Sequence, residues 1–571
     1  MSAVLTDNLP LLAGAPNGIK KLRELILELA VRGKLVPQDP NDEPASELLK
    51  RIAEEKARLL AEGQIKKTKP LAAMAEEDQP FELPAGWKWA STAALTLLIT
   101  DGTHHTPTYI NSGVPFISVK DIDGATISFD NCKYISQEEH VAINTRCNPE
   151  LGDILLCRIG TLGRPTIVDT EVPFSLFVSV GLLKLPKKTE FSRYFHCVLS
   201  SPLMYRQYDQ IKAGGSHTNK LNLGDIPRLL VPVPPLAEQH RIVAKVDELM
   251  ALCDRLEARQ TDAESAHAQL VQELLSSLVQ ACDAEDFAQS WQRLAEHFHT
   301  LFTTESSIDA LKQSLLQLAV MGKLVPQDPN DEPASELLKR IAESSAKLVA
   351  GTKAKKGSLK AGIAVEGING IGLPPTWLWV PFDDLINPEY PIAYGVLVPG
   401  PDVVDGIPFV RIADLDLVAP PVKPEKSISP EVDSQFERTR IRGGEILMGV
   451  VGSVGKLGIA PDTWAGANIA RAICRIVPCG YVSKSYILWL LQSDLMRRQF
   501  LGDTRTLAQP TLNVGLIRSA STPLPPLAEQ HRIIAKVDQL MALCDQLKAR
   551  LNQARQVHEH LASALVEQAV A

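Results

Sequence analysis

The chain is expected to be α+β: two globular α/β domains separated by long antiparallel coiled-coil helices, related by a pseudo-twofold internal repeat. Three observations carry that expectation. A helix motif is written twice, from Pro234 to Asp247 and from Pro525 to Asp538, 291 residues apart. A block of 22 residues, Gly33 to Glu54, recurs without a change from Gly322 to Glu343. Between the repeated parts lie two long segments that share landmarks but little sequence.

The double proline Pro234-Pro235 stops any upstream helix and opens a new one. After Pro525-Pro526, apolar or small residues recur at Ile533, Val537, Leu540, Cys544, Leu547, Leu551, Ala554, Leu561 and Leu565, interrupted by His558. That 4-3-4-3 spacing predicts a seam that buries against another helix. The first copy has Ile242, Val246, Leu249, Cys253, Leu256, Ala263, Leu270 and Leu274, with Gln260 and His267 breaking it. A helix from 237 to about 280 spans roughly 60–65 Å at about 1.5 Å per residue, enough for a ruler.

Before the repeated block a helix is expected over 19–32, with Ile19, Leu22, Ile26 and Leu29 at helical spacing, Asn17 as cap and Gly33 as terminator. Prolines make the next stretch a loop, and Pro44 and Pro333 suit the first turn of a following helix. Basic linkers follow at Lys66, Lys67 and Lys69 and at Lys353, Lys355 and Lys356. The expected divisions are 1–80 (helical block), 81–235 (first domain), 236–372 (central helical spacer), 373–526 (second domain) and 527–571 (C-terminal spacer helix). The N-terminal block and the C-terminal helix together should copy the central region.

Each domain opens on a Trp-x-Trp pair, Trp87/Trp89 and Trp377/Trp379. Strands are expected at 114–119 and 407–412, and a helical stretch at 481–500. Each domain also carries a Gly-acid-strand-loop unit, Gly152 to Arg164 and Gly444 to Lys456. Many Gly and Pro between short β-rich runs support α+β domains.

Composition narrows the class. The 571 residues exceed one domain. No run of eighteen apolar residues suggests a membrane span, and the N-terminus lacks a signal pattern, so a cytoplasmic protein is expected. Nine cysteines without a Cys-x-x-Cys pair point to reduced core thiols. Net charge is −8, while residues 81–235 balance and residues 373–526 carry −1, so any basic face must be local.

Identical spacers with divergent heads imply a constant partner for the spacers and different ligands for the heads. Glycine loops with hydroxyl and basic residues suit phosphate and base-edge contacts. In the first head the candidates are His104, His105, Thr106, Arg158, Thr161, Arg164, Lys212, Ser216, His217, Asn219 and Lys220. In the second they are Tyr394, Arg411, Ser453, Lys456, Arg505, Thr506 and Gln509. Each also has an ordinary reading as a solvated loop, and the Gly-Thr/Ser-x-Gly runs as tight turns.

Catalysis has little support. Asn387-Pro388-Glu389-Tyr390 resembles the Asn/Asp-Pro-Pro-Tyr/Phe loop of adenine methyltransferases, but its third position departs and no cofactor glycine loop precedes it. Val450 to Leu457 is not a P-loop: the first glycine is out of register and Leu457 stands where Ser or Thr would hold magnesium. His104-His105 has no companion at metal-ligand spacing, so no metal is assigned.

The Pro-Pro-Leu-Ala-Glu-Gln-His-Arg-Ile helix, its repetition and the twin Gly-Asp-Ile-Leu/Gly-Glu-Ile-Leu segments resemble the specificity subunit of a Type I restriction–modification system. The resemblance covers nearly the whole chain. It implies two target recognition domains, each reading one half of a split site on double-stranded DNA. The spacers would set the gap and dock two methyltransferase subunits, with motor-nuclease subunits joining them. S-adenosylmethionine, ATP and magnesium would serve the partners' chemistry, and this chain would bind none of them. The rival reading is a coiled-coil scaffold with two protein-binding heads.

Overall fold

The computed structural model describes residues 9–65, 79–186, 191–213, 219–351, 371–502 and 511–570. The two basic linkers fall outside them. The chain divides into two compact units, residues 1–263 with 554–571, and residues 264–553. Each head is thus completed by the far half of a long helix from elsewhere in the chain, as the circular layout of the repeats requires.

In the first unit, α1 (Gly18–Val31) buries Ile19, Leu22, Leu25, Ile26 and Leu29. Asn17 stands at its N-cap in a left-handed conformation and makes no capping bond, so the expected cap does not form. Gly33, at φ 68°, closes the helix: Lys34 N–H reaches Leu29 O (2.9 Å) and Gly33 N–H reaches Ala30 O (3.3 Å). Helix α2 (Ala45–Ala61) starts one residue later than expected, with Pro44 as its extended N-cap.

The first head is closed by β1 (Lys88–Ser91). Then follow β2 (Leu98–Asp101), β3 (Val114–Ile117), β4 (Lys133–Ile135), α3 (Gln137–Asn144), β5 (Ile154–Cys157), β6 (Gly163–Ile167), β7 (Ser175–Leu176) and β8 (Val180–Lys184). Helices α4 (Phe191–Leu199) and α5 (Pro202–Ile211), a small ribbon β9 (Lys212–Ala213) and β10 (Lys220–Leu221), and β11 (Leu230–Val233) complete it. Strand β11 pairs antiparallel with β1, so the segment returns to its start. A four-stranded antiparallel sheet has the order β2-β8-β5-β6; a three-stranded sheet has the order β4-β3-β7.

Helix α6 (Leu236–Val279) is 44 residues long and follows β11 directly after the double proline. Its first half runs antiparallel to α1. Arg23 meets Asp254 and Glu257, both at 2.7 Å, whereas Gln38, beyond the end of α1, reaches Glu238 at 3.2 Å. The last turns of the C-terminal helix join the same core through Ala562, Leu565 and Val566, and Lys21 donates to Ser563 at 3.0 Å.

The second unit repeats the plan with α7 (Glu305–Val320), α8 (Ala334–Gly351), β12 (Leu378–Pro381), β13 (Ala393–Tyr394), β14 (Ile407–Val410), β15 (Lys426–Ile428), β16 (Ile446–Gly449), β17 (Leu457–Ile459), β18 (Asn468–Ile469) and β19 (Ile473–Ile476). The expected helix over 481–500 is two helices, α9 (Lys484–Gln492) and α10 (Asp494–Leu501), broken at Ser493. Buried Ser493 donates its hydroxyl to Leu490 O at 2.6 Å, which supports the break. Strand β20 (Ser521–Leu524) pairs with β12, and the sheet orders are β13-β19-β16-β17 and β15-β14-β18. The three sheets repeat those of the first head, and among the described residues the ribbon β9–β10 has no counterpart.

The C-terminal helix α11 (Leu527–Val570) packs its first half on α7, with Lys548 reaching Glu305 at 3.0 Å. The heptad reading holds for Ile533, Val537, Leu540 and Cys544, all buried, and for the partly buried Leu547 and Leu551, then fails: Ala554 and Leu561 are exposed and Ala562 is buried instead. Helix α6 does the same, exposing Ala263 and Leu270 and burying Val271, Leu275 and Leu278. In both helices the buried stripe shifts by one position, from 270 to 271 and from 561 to 562, where the helix passes from one unit's core to the other's.

Eight of the nine cysteines are buried as free thiols. Burial lifts Cys147 and Cys474 to about 12, which makes them inert. Among the described residues no helix is long and apolar enough to cross a membrane.

Candidate nucleic-acid interface

An antiparallel sheet gathers the loops of alternate connections at one end. In the first head the pairings Asp101↔Gly181 and Cys157↔Val180, with Cys157↔Gly163, put the end of β2, the end of β5 and the starts of β6 and β8 together. The loop 102–106 leaves from β2, and the loop 158–162 joins β5 to β6. The ribbon β9–β10 is tied to that second loop: Gly160 N–H donates to Asn219 O (2.9 Å) and Leu221 N–H to Arg158 O (2.8 Å). The two loops and the ribbon, distant in sequence, therefore share one sheet end.

The second head builds the same end. Tyr394↔Cys474, Gly449↔Ile473 and Met448↔Leu457 align β13, β19, β16 and β17. Leu512 N–H donates to Val450 O at 2.8 Å, as Leu221 does to Arg158. The glycines of the two β5–β6-type turns, Gly160 and Gly163, Gly452 and Gly455, all have positive φ between 75° and 83°. The Gly-Thr/Ser-x-Gly runs are thus turns that the fold requires.

Beneath the loops the heads differ. In the ladder Asp101 opposes Gly181, which opposes Leu156; in the second head Tyr394 opposes Cys474, which opposes Met448. Tyr394 therefore stands where Asp101 stands. Asp101 is 1 % exposed and binds the buried Arg158, the half-exposed Arg146 and, at 3.1 Å, His104 Nε2. Arg158 also donates to Leu221 O (3.2 Å) and Val178 O (3.0 Å). Burial pulls its guanidinium below the usual arginine value, against the Asp101 charge. In the second head the Tyr394 hydroxyl donates to Leu512 O (3.0 Å) and accepts from Val514 N–H (2.8 Å). An ion pair and a phenol hold equivalent loops.

His104, His105, Thr106, Thr161, Arg164, Lys212, Asn219, Lys220, Ser453 and Lys456 are exposed. His105 Nδ1 is 2.7 Å from Thr103 Oγ1, and Arg164 N–H donates to the Tyr205 hydroxyl at 3.3 Å. Lys212 pairs with Asp209 (2.8 Å), Lys456 donates to Ile412 O (3.0 Å), and the half-buried Arg411 pairs with Glu425 (3.0 Å). Lys456 thereby ties the turn that carries Ser453 to the stretch after Arg411. Arg158 and Tyr394 are corrections to the surface picture: Arg158 is buried and Tyr394 half-buried, and both secure loops from below. Ser216, His217, Arg505, Thr506 and Gln509 lie outside the described residues.

Sequence reasoning missed Arg146. It lies 42 residues from His104 and carries no motif; only the fold brings the turn after α3 onto Asp101.

Asn387 accepts from Glu389 N–H at 2.9 Å and Tyr390 lies under Arg442, so this stretch is a turn. No helix follows the 450–456 turn: Gly449 N–H donates to Lys456 O (2.8 Å), which makes it a hairpin. Among the described residues no group of three or more His, Cys, Asp or Glu is placed to hold a metal.

The twice-written motif is accounted for residue by residue. Glu238 accepts from Trp87 Nε1 (3.0 Å) and Gln38; Glu529 accepts from Trp377 Nε1 (2.8 Å) and Gln327. Gln239 and Gln530 donate to Pro234 O and Pro525 O at 3.0 and 3.1 Å. Arg241 and Arg532 bind Asp42 and Asp331, each at 2.6 Å. Repeated block, opening strand of the head and spacer helix are welded at one junction in each unit. His240 and His531 are exposed there.

Comparison with known proteins agrees with this architecture. Residues 104–264 and 402–555 match the family described as Type I restriction modification DNA specificity domain. The chain is 36 % identical over 572 residues to the Type I restriction enzyme EcoAI specificity subunit of Escherichia coli, covering 97 % of this chain and 94 % of that protein. It is 35 % identical to the EcoEI specificity subunit of the same organism, with the same coverage. A solved structure described as the structural basis of complex assembly and conformational transition of the type I R-M system matches its fold. That match has a TM-score of 0.50 at 18 % identity, over 86 % of this chain and 99 % of that one.

Proposed function

This chain belongs to the Type I restriction–modification DNA specificity family, and on that premise we propose that each sheet end reads one half of a bipartite site on double-stranded DNA. A specificity subunit recognises DNA and is not the catalytic part of such a system. The observation that supports the bipartite reading is the pair of equivalent sheet ends with unlike side chains: His104, His105, Thr161, Arg164, Lys212, Asn219 and Lys220 on one, Ser453, Lys456 and Arg411 on the other. Ser216, His217, Arg505, Thr506 and Gln509 join them in this proposal.

The two spacer helices, each 44 residues and so about 66 Å long at about 1.5 Å per residue, fix the gap between half-sites. Half-sites one helical turn apart are about 34–36 Å apart on DNA, within that reach. Two methyltransferase subunits dock on the helices and motor-nuclease subunits join them in the cytoplasm. The partners bring S-adenosylmethionine, ATP and magnesium, flip the adenine and supply part of the backbone affinity that the near-neutral heads lack.

Co-expression with a methyltransferase subunit from the same operon, followed by mapping of N6-methyladenine in the host genome, tests this. One bipartite motif methylated on each strand is expected. Soluble, mutually bound subunits that yield no motif would refute it. Exchanging residues 81–233 for another member's first domain should change one half of the motif only.

A further inference from the structure

Helix α3 and the loop after β2 enclose a cleft of about 400 Å³ in the first head. One wall is a helix face and the turn after it: Glu139, Ala142 and Ile143 follow at i, i+3 and i+4, and Arg146 stands just past the end of α3. The other wall is Asp101 to His105. The cleft opens at the sheet end that carries the other candidate loops.

Its polar groups are complementary. Arg146 is held from behind by Asp101, whose charge is already met by the buried Arg158. With His104 protonated or neutral, the cluster of one carboxylate and two guanidiniums is a net cation, and Arg146 is its exposed member, 53 % accessible. A guanidinium fixed this way presents donors with little rotamer freedom left to lose. Glu139 supplies the opposite chemistry. Its Oε1 accepts from Thr108 N–H at 3.1 Å, while its Oε2 is buried and has no hydrogen-bond partner. A carboxylate oxygen without a donor is costly, and this one, shielded from solvent, reaches a ligand in the cleft when the Glu139 side chain turns toward it.

We propose that this cleft reads a G·C pair of the first half-site, with Arg146 donating to the guanine O6/N7 edge and Glu139 accepting from the cytosine N4 amino group. In the major groove these acceptors and that donor lie side by side, and no other pair offers the combination in that order. A phosphate would satisfy Arg146 but would leave Glu139 Oε2 unmet and repelled. Asp101 is a positioning residue. The second head has Tyr394 in its place, so its half-site is read by other means.

The inference rests on the DNA-specificity reading, and the experiment separates the two. Methylomes are mapped for wild type, Arg146→Lys, Arg146→Ala and Glu139→Gln, each co-expressed with the methyltransferase subunit. A wild type without any motif would overturn the DNA-specificity reading itself. Given a wild-type motif, one fixed G·C position in one half is expected to become degenerate in all three variants, with the other half unchanged. Arg146→Lys keeps the charge on Asp101, so a merely structural Arg146 would leave its motif intact, and that result overturns the proposal. Binding of the purified subunit–methyltransferase complex to duplexes gives the second readout. Replacing that guanine by 7-deazaguanine should weaken wild type by about tenfold and leave Arg146→Lys unchanged; equal weakening of both overturns the proposal. A uniform loss across all sequences with a shallower salt dependence would mean a phosphate contact and would overturn it too.

Discussion

Trp87 donates its indole N–H to Glu238 at 3.0 Å across 151 residues, and Trp377 does the same to Glu529 at 2.8 Å. Burial lifts both carboxyls above the ordinary range, and the N–H donors pull them partly back. A carboxyl raised on folding favours the folded state below its unfolded pKa and loses that contribution as pH rises through its folded value. Trp87→Phe removes a donor to the charged form and raises Glu238 further. We expect a loss of about 1–3 kcal/mol, greater at about pH 8 than at about pH 4. Denaturant melts at the two pH values measure it; equal losses would contradict the charged-acceptor account.

Arg158 and Tyr394 should differ in cost. Arg158→Ala leaves Asp101 buried with only half-exposed partners, and breaking a buried pair costs about 3–5 kcal/mol. Tyr394→Phe frees Leu512 O and Val514 N–H, about 1–3 kcal/mol. Hydrogen exchange at 219–221 and 511–514 should rise more in the first variant than in the second.

The turn glycines offer a graded pair. An added Cβ at Gly452 meets nothing within 4 Å, so Gly452→Ala bears only the positive-φ strain, about 1 kcal/mol. At Gly163 the Cβ would sit 3.0 Å from the Tyr205 ring, so Gly163→Ala costs more and displaces the Arg164 loop. Thermal melts rank the two, and only the first variant should keep its half of the methylation motif.

Deleting one heptad within 254–270, where most of α6 is exposed, should change the tolerated gap between half-sites or abolish methylation. Both heads should remain folded by hydrogen exchange. An unaltered gap with unaltered activity would remove the ruler role.

Much of this was legible in the chain because it is written twice. The repeated block, the double prolines and the glycine stop at Gly33 act locally, and local signals survive without knowledge of the fold. The unit 152–164 and its counterpart 444–456 announced the strand and turn for the same reason. Legibility failed where the contacts are distant in sequence. The heptad reading slipped by one position beyond Leu256 and Leu551, where each long helix leaves one unit's core for the other's and its apolar stripe meets a different set of side chains.

The sequence by itself determined the duplication, the order of elements, and the loops that gather at the two sheet ends. Only the tertiary structure decided which charged residues remain for a ligand. Arg158 opens a glycine-bearing, exposed-looking loop, yet antiparallel pairing turns it inward onto Asp101. Arg146 looks like any helix-end arginine, yet packing of α3 sets it over the same carboxylate. The partner that neutralises a charge lies 45 or 57 residues away along the chain, and no spacing rule encodes that distance.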